Sequence, residues 1–509
     1  MKKIISMLLA AILATALLAG CGTAGGGTPA PTPAPAADTG GTTPPAAADT
    51  AEESAEIVEL HAVFSGAAPN DEEYVITAVN AALAEQGYNF TIRQTFMTDY
   101  RTNLALMIAS GEVVDIAWPH MASLGDQVRM GVHGPLDPYF DIYAPDFAAA
   151  MPAHVRAQGT VGGVMYAAPR IIPMAQFNWV LNIRKDLREE WGLPEITSLE
   201  LLEQYFARAY EEGMIPMHSA DFRAMYAHYA NFFFPMGNNG RYPMFVDPDD
   251  PNFEVRSFFD TEYFRNVVET RRRWRDNGWI PEDEAAFGGD ANQGFIHGIL
   301  ATVHANIFSE AERTDQMHQM TPHAVIETIT LNPQRRHIFQ GGDNMMGTGS
   351  TTNNTREAVQ FMNWIRKSQD NFDLWTYGVY GRNFVLDGES VSFDGIADDM
   401  RYVPRQWVWN DAALNRFPLV MPAEHVERLL NWDTGAIVTP FVGFQIDPEN
   451  IRTEFSQLNA IMGEFIPIFE QGIIPYDDLI DEFMNQMWNA GLQAVIDATQ
   501  VQLDDFLGR

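Results

Sequence analysis

The chain holds a single cysteine, Cys21, among 509 residues. An internal disulfide and a cysteine-based metal site are thereby excluded, and the fold must stand on its packed core. Positive charge is scarce. The 32 Lys and Arg residues face 67 Asp and Glu, for a formal net charge of -35, which disfavours nucleic acid and anionic lipid surfaces as partners. Catalytic signatures are missing as well: the sequence contains no GxxxxGK[ST] loop, no GxSxG elbow and no HExxH helix. The twelve histidines do not cluster, and His318 and His323, with Pro322 between them, lack the usual ligand spacing. No metal, no cofactor and no enzymatic activity are expected. A carboxylate pair placed for glycoside hydrolysis leaves no mark in a linear sequence, so a glycoside hydrolase remains the alternative from another class.

What is present begins at the N-terminus. Lys2 and Lys3 precede an apolar run over 4–18 that is short for a membrane span, and Leu18-Ala19-Gly20-Cys21 follows. Residues 1–21 read as a signal peptide ending in a lipobox. The motif resembles bacterial lipoprotein signals, which implies a diacylglycerol on Cys21 and an extracytoplasmic, membrane-anchored location. Residues 22–56 are dominated by Gly, Thr, Pro and Ala, too poor in large apolar side chains to offset their ordering entropy, and predict a flexible tether.

Beyond the tether, the sequence alternates. Residues 57–64 favour a strand; Asn70 and Asp71 to Glu73 open a helix with the apolar stripe Val75, Ala78, Val79 and Ala82. A strand over 90–96, a helix from Asp99 with Leu104 and Ile108 on one face, and a strand over 113–118 come next. This order predicts an α/β fold with a parallel sheet. Thr197 to Glu200 form a capping box, Asp260 starts another helix, 295–306 and 324–331 read as strands, and Asn354 with Glu357 caps a further helix. Gly347 to Thr352 read as a polar loop. Asp447-Pro448-Glu449 opens a helical C-terminal block.

Candidate ligand-binding residues follow from the topology. Open parallel sheets bind ligands beyond the carboxyl ends of their strands, where Trp118 and His120 fall, although Trp118 serves equally well as core. Arg170, Asn306 and Asp343 lie where the chain is expected to cross between lobes, and crossing residues line a cleft. The loop-like segment Trp375-Thr376-Tyr377-Gly378-Val379-Tyr380-Gly381-Arg382-Asn383 combines flat faces that stack on sugar rings with polar groups for hydroxyls. A buried aromatic corner is the competing reading of Trp375, Tyr377 and Tyr380.

Several segments together carry a family resemblance. Leu181-Asn182-Ile183-Arg184-Lys185-Asp186-Leu187 with Trp191-Gly192-Leu193-Pro194, the Trp375 to Gly381 motif, and Gly443-Phe444-Gln445-Ile446-Asp447-Pro448 with three terminal helices resemble the family-1 extracellular solute-binding proteins, in the lipoprotein branch associated with sugar or oligosaccharide ABC transporters. The chain departs from that pattern at Tyr380, where relatives carry an acid, and at Arg382-Asn383, where they carry a basic residue and a histidine. The resemblance implies a two-lobed periplasmic-binding-protein-like fold of the class II type. It places lobe 1 at 57–168 and about 300–348, lobe 2 at 169–299 and about 349–440, and a helical region at 441–509. It further implies a carbohydrate ligand, ABC permease subunits as partners, a membrane contact through the lipid anchor, and a monomer. A receptor whose closed form engages a sensor kinase is a further possibility of the same architecture.

Overall fold

The strand expected after the tether is Val58–Ser65, and it runs parallel to Phe90–Met97 with Val58 opposite Phe90 and Ser65 opposite Met97. In this computed structural model, residues 57–509 are described apart from 178, 219–223, 230, 236–242 and 282–289. The expected signal peptide, Cys21 and the expected tether lie outside the described residues. The helix Glu72–Glu85 connects the two strands and buries Val75, Ile76, Val79 and Leu83. The third expected strand is reduced to bridges, Ala62 with Ile116 in parallel and Ala117 with Gly347 antiparallel. Its direction agrees with a parallel unit.

The face of this sheet that receives Glu72–Glu85 is also covered by a segment from far along the chain, whereas Val63 on the opposite face packs on Tyr100, Leu104 and Ile108. Helix Thr355–Lys367 and helix Gln369–Tyr377 set Ala358, Phe361, Trp364, Ile365, Phe372 and Trp375 into one core with Leu60, Phe64 and Phe90. Strand Met345–Gly349 pairs antiparallel with Ala167–Pro169 and His133–Gly134. Gly347 to Gly349, expected in a polar loop, are therefore buried strand residues.

A second core forms around Val180–Arg184, which is flanked antiparallel by Thr302–Ala305 and Ile326–Ile329. Helices Leu199–Glu211 and Glu262–Asp276 pack there through Leu202, Phe206, Phe264, Val268 and Trp274. The three terminal helices, Arg452–Glu470, Tyr476–Asn489 and Leu492–Leu507, close this core with Leu458, Phe469, Phe483 and Leu503. A smaller cluster joins Ile172, Phe177, Ile307 and Ile338 to Phe417, Leu429 and Trp432.

Two boundaries differ from the sequence-based division. Residues 300–340 sit with the second core, because the strands at 302–305 and 326–329 complete the sheet of 180–184. The helices at 355–377 sit with the first core, because their apolar faces pack beside Glu72–Glu85 on Leu60, Phe64 and Phe90 of its parallel strands. Local signals shift too. Ser198, rather than Thr197, caps its helix by accepting the Leu201 N–H, and Asn354 makes no cap but donates to Asp115 Oδ1 at 3.0 Å. Part of the 295–306 segment is the helix Ala291–Ile296. The chain crosses between the cores at 169–172 and again near Gly341. A Cβ at Gly341 would lie 2.0 Å from the His154 carbonyl oxygen, so the second crossing lies directly on the helix Ala153–Gln158.

His133 is buried in the first lobe, with Nδ1 3.2 Å from the Thr348 carbonyl and Nε2 3.2 Å from Gln127 Oε1. Burial outweighs the Thr348 contact and pulls its pKa down to about 4. The unfolded chain binds the proton more tightly, so the contribution of His133 is fully present above pH 6.5 and is lost as pH falls toward 4. We expect denaturation to show a loss approaching about 3 kcal/mol across that window. His133→Gln should flatten the slope; an unchanged slope would refute the assignment.

Candidate functional site

The carboxyl ends of the first-lobe strands are held by a short polar scaffold. Asp115 accepts the His61 N–H at 2.8 Å and the Asn354 amide at 3.0 Å, which fixes the turn leading into Trp118. The Trp118 N–H donates to the Tyr100 hydroxyl oxygen at 2.7 Å, and Tyr100 in turn donates to the Val63 carbonyl. The indole of Trp118 is only half-buried. Its Nε1–H donates to Asn344 Oδ1 at 2.9 Å. Its ring meets Trp407 edge to face at 4.7 Å and 75°, with His120 at 6.2 Å and 81°.

Behind these rings lies an ion pair. Arg170 donates Nε–H and Nη2–H to the two oxygens of Asp343 at 2.7 and 2.9 Å, and Asn344 Nδ2 donates to Asp343 Oδ2 at 2.9 Å. The Arg170 and Asp343 side chains are 4% and 12% exposed, so the pair is held in low dielectric with good bidentate geometry. The guanidinium also lies 5.4 Å from the Phe177 ring centroid. Backbone bonds lock the same groups: Arg170 N–H donates to the Asn344 carbonyl, and Met121 N–H to that of Asp343. Burial is the largest influence on His120 and lowers its pKa, with Asp343 opposing and Arg101 and Arg170 reinforcing. His120 is therefore neutral near pH 7.

Four of the sequence-predicted residues, Trp118, His120, Arg170 and Asp343, thus converge, at the place where the first-lobe strand ends meet the crossing segments. The other four do not join them. Asn306 Oδ1 accepts the Phe308 and Ser309 N–H groups at 2.9 and 3.1 Å and serves only to turn the chain into the helix Ser309–His318. Trp375 is 0% exposed and lies between Phe361 and Trp409. Tyr377 is buried, its hydroxyl donating to the Arg416 carbonyl at 3.1 Å, and burial raises its pKa above the tyrosine range. These two belong to a helix, not a loop, because the apolar face of Gln369–Tyr377 completes the first core. Tyr380 is 65% exposed and, among the described aromatic rings, touches the edge of Phe384 alone.

Tyr100, Asn344 and Trp407 were not anticipated. Asn344 directly follows Asp343, and Trp407 sits in the short 3-10 turn Gln406–Val408. Neither carries a periodic signal, and only the nearness of two tryptophans, Trp407 and Trp409, hints at a site. The arrangement offers two half-buried aromatic faces and edges, a neutral imidazole and an amide over a self-neutralised ion pair. Such a surface binds an uncharged or weakly polar ring by stacking and hydrogen bonds.

Comparison with known proteins gives a consistent result. Residues 77–382 match the model described as bacterial extracellular solute-binding protein, and residues 440–508 match a domain of unknown function, DUF3502. A carbohydrate ABC transporter substrate-binding protein of Streptococcus pneumoniae is 20% identical over 459 residues, 87% of this chain and 89% of the relative. Among solved structures, the N-glycan transport solute binding protein of Streptococcus pneumoniae superposes with a TM-score of 0.73 at 17% identity, over 89% of this chain and 99% of that one. The same protein in complex with Man5GlcNAc gives 0.65, over 89% and 99%. The extracellular solute-binding protein of Bifidobacterium longum subsp. infantis gives 0.58 at 14% identity, over 88% and 98%. These share the two-lobed α/β architecture described above. With its family match spanning more than half of its residues, the chain belongs to the bacterial extracellular solute-binding protein family.

Proposed function

We propose that this protein captures an oligosaccharide between its lobes and delivers it to the permease of an ABC importer. It stays at the outer face of the membrane through a lipid on Cys21 and the 22–56 tether, acts as a monomer, and performs no chemistry of its own. The observation that carries this reading is the Trp118–Trp407 pair, set beside Asn344 and the Arg170–Asp343 ion pair at the strand ends. Indole faces cover the apolar C–H side of a pyranose while neighbouring amides and imidazole take its hydroxyls. The relatives named as carbohydrate and N-glycan transport proteins support the choice of ligand class. Asp343 accepts from three N–H donors, two of them from Arg170, which makes it a structural carboxylate rather than one free to act as a nucleophile. That favours binding over hydrolysis.

A thermal-shift and calorimetric screen with maltotriose, mannotriose, chitotriose and lacto-N-tetraose should give at least one ligand, recovered unchanged after incubation. Trp407→Ala should weaken that ligand by at least about tenfold, near 1.4 kcal/mol. A response to peptides or amino acids alone would overturn the carbohydrate reading. Lipidation is checked separately by mass spectrometry of the mature N-terminus.

A further inference from the structure

Arg405 is placed unusually for a surface arginine. Its Nε–H donates to the carbonyl of Ser65, the last residue of the first strand, at 3.0 Å. Its guanidinium lies flat over Gly66: a Cβ there would fall 2.2 Å from Nη2 and 2.9 Å from Cζ, and Gly66 adopts φ +93°, a conformation that side-chain-bearing residues rarely accept. The positive φ favours glycine here, and a side chain at this position would push the guanidinium aside. The Arg405 carbonyl accepts the Val408 N–H at 2.9 Å, which starts the turn that carries Trp407. Arg405 is thus tied through its side chain to the strand terminus and through its carbonyl to the turn that holds Trp407.

Among the described residues the terminal nitrogens of Arg405 make no hydrogen bond, and Nε alone is engaged. Among the described residues no carboxylate lies within ion-pair distance of Arg405, although acidic residues outnumber basic ones 67 to 32 in this chain. Arg170, by contrast, is fully engaged by Asp343. A guanidinium fixed through Nε keeps its remaining donors in one plane, so little rotamer entropy is lost when they meet a pair of acceptors. Its position at the carboxyl end of a parallel strand is where this class of sheet receives ligands.

We propose that Arg405 is a ligand-reading residue of this site, its free donors taking two adjacent oxygens of the saccharide. This rests on the carbohydrate reading above. The two oxygens belong either to vicinal ring hydroxyls or to a carboxylate, as in a uronic or sialic acid, and both present the same paired-acceptor chemistry.

The test is calorimetry on the full folded domain with the neutral panel above, together with trigalacturonate and 3′-sialyllactose. Arg405→Gln and Arg405→Lys should each weaken the best ligand by at least about tenfold, because lysine supplies charge without the planar fork. Circular dichroism and Tm report whether the fold persists. A deoxy analogue of the best ligand lacking one hydroxyl of the pair, or its neutral methyl ester where the ligand is acidic, should bind more weakly to the parent protein but equally to Arg405→Gln. That lost discrimination would not follow from a purely structural role. Strong salt dependence with an acidic ligand assigns the carboxylate as the source, and weak salt dependence with a neutral one assigns the hydroxyls. Affinities within twofold of the parent in both variants, or discrimination that survives Arg405→Gln, would overturn the proposal. Binding of no saccharide by the parent protein would instead overturn the carbohydrate reading beneath it.

Discussion

Replacing Asp343 with alanine is expected to cost about 3–5 kcal/mol of stability and to abolish ligand capture with it. The stability loss arises because Arg170, 4% exposed, keeps its charge but loses both of its carboxylate bonds. No other carboxylate pairs with it among the described residues, and an uncompensated buried charge is costlier than the pair was worth. The binding loss has a separate route. Asp343 also holds the Asn344 amide, and Asn344 Oδ1 holds the Trp118 indole, so the deletion releases the ring proposed to face the ligand. Urea denaturation of the purified domain gives the first quantity and calorimetry on the folded fraction gives the second. Asn344→Leu separates them: it spares both Arg170–Asp343 bonds while removing the acceptor for Trp118 and one neutral donor to Asp343, so affinity should fall with a smaller change in stability. A cost below about 1 kcal/mol for Asp343→Ala would mean that the pair relaxes into solvent.

Trp375→Ala is expected to cost a similar about 3–5 kcal/mol while leaving ligand affinity in the folded protein within about twofold. Trp375 is fully enclosed by Phe361 and Trp409, and the cavity left by an indole in the middle of a packed core does not collapse fully. Tyr380→Ala, at an exposed position, should stay within about 0.5 kcal/mol. Thermal denaturation with a parallel titration distinguishes the two roles. Loss of affinity with unchanged stability in Trp375→Ala would return the aromatic segment to the ligand site.

That segment shows where a linear reading stops. Trp375, Tyr377 and Tyr380 have the composition of a sugar platform, but composition does not say which way a ring faces. The helix Gln369–Tyr377 turns the first two inward because the parallel strands offer an apolar surface to cover. Asn306 failed for the complementary reason: it stands at the expected place along the chain, yet its side chain is consumed by the next turn. Trp118 and His120 were legible because the carboxyl end of a strand is a position that periodicity can find. Arg170 and Asp343 were legible as crossing residues. Their bond to each other was not, since 173 residues separate them.

The sequence by itself determined the α/β alternation, the first two strands to within a residue at each end, and the helical C-terminal block, because each rests on local periodicity and capping. The tertiary structure alone decided which core receives 300–340 and 355–377, and which aromatics gather at the candidate site rather than in the core. Those outcomes depend on long-range packing, where an apolar face seeks whatever uncovered surface the rest of the chain provides. Trp407 and Arg405 reach Trp118 and Ser65 only through that packing, and no spacing in the sequence brings them together.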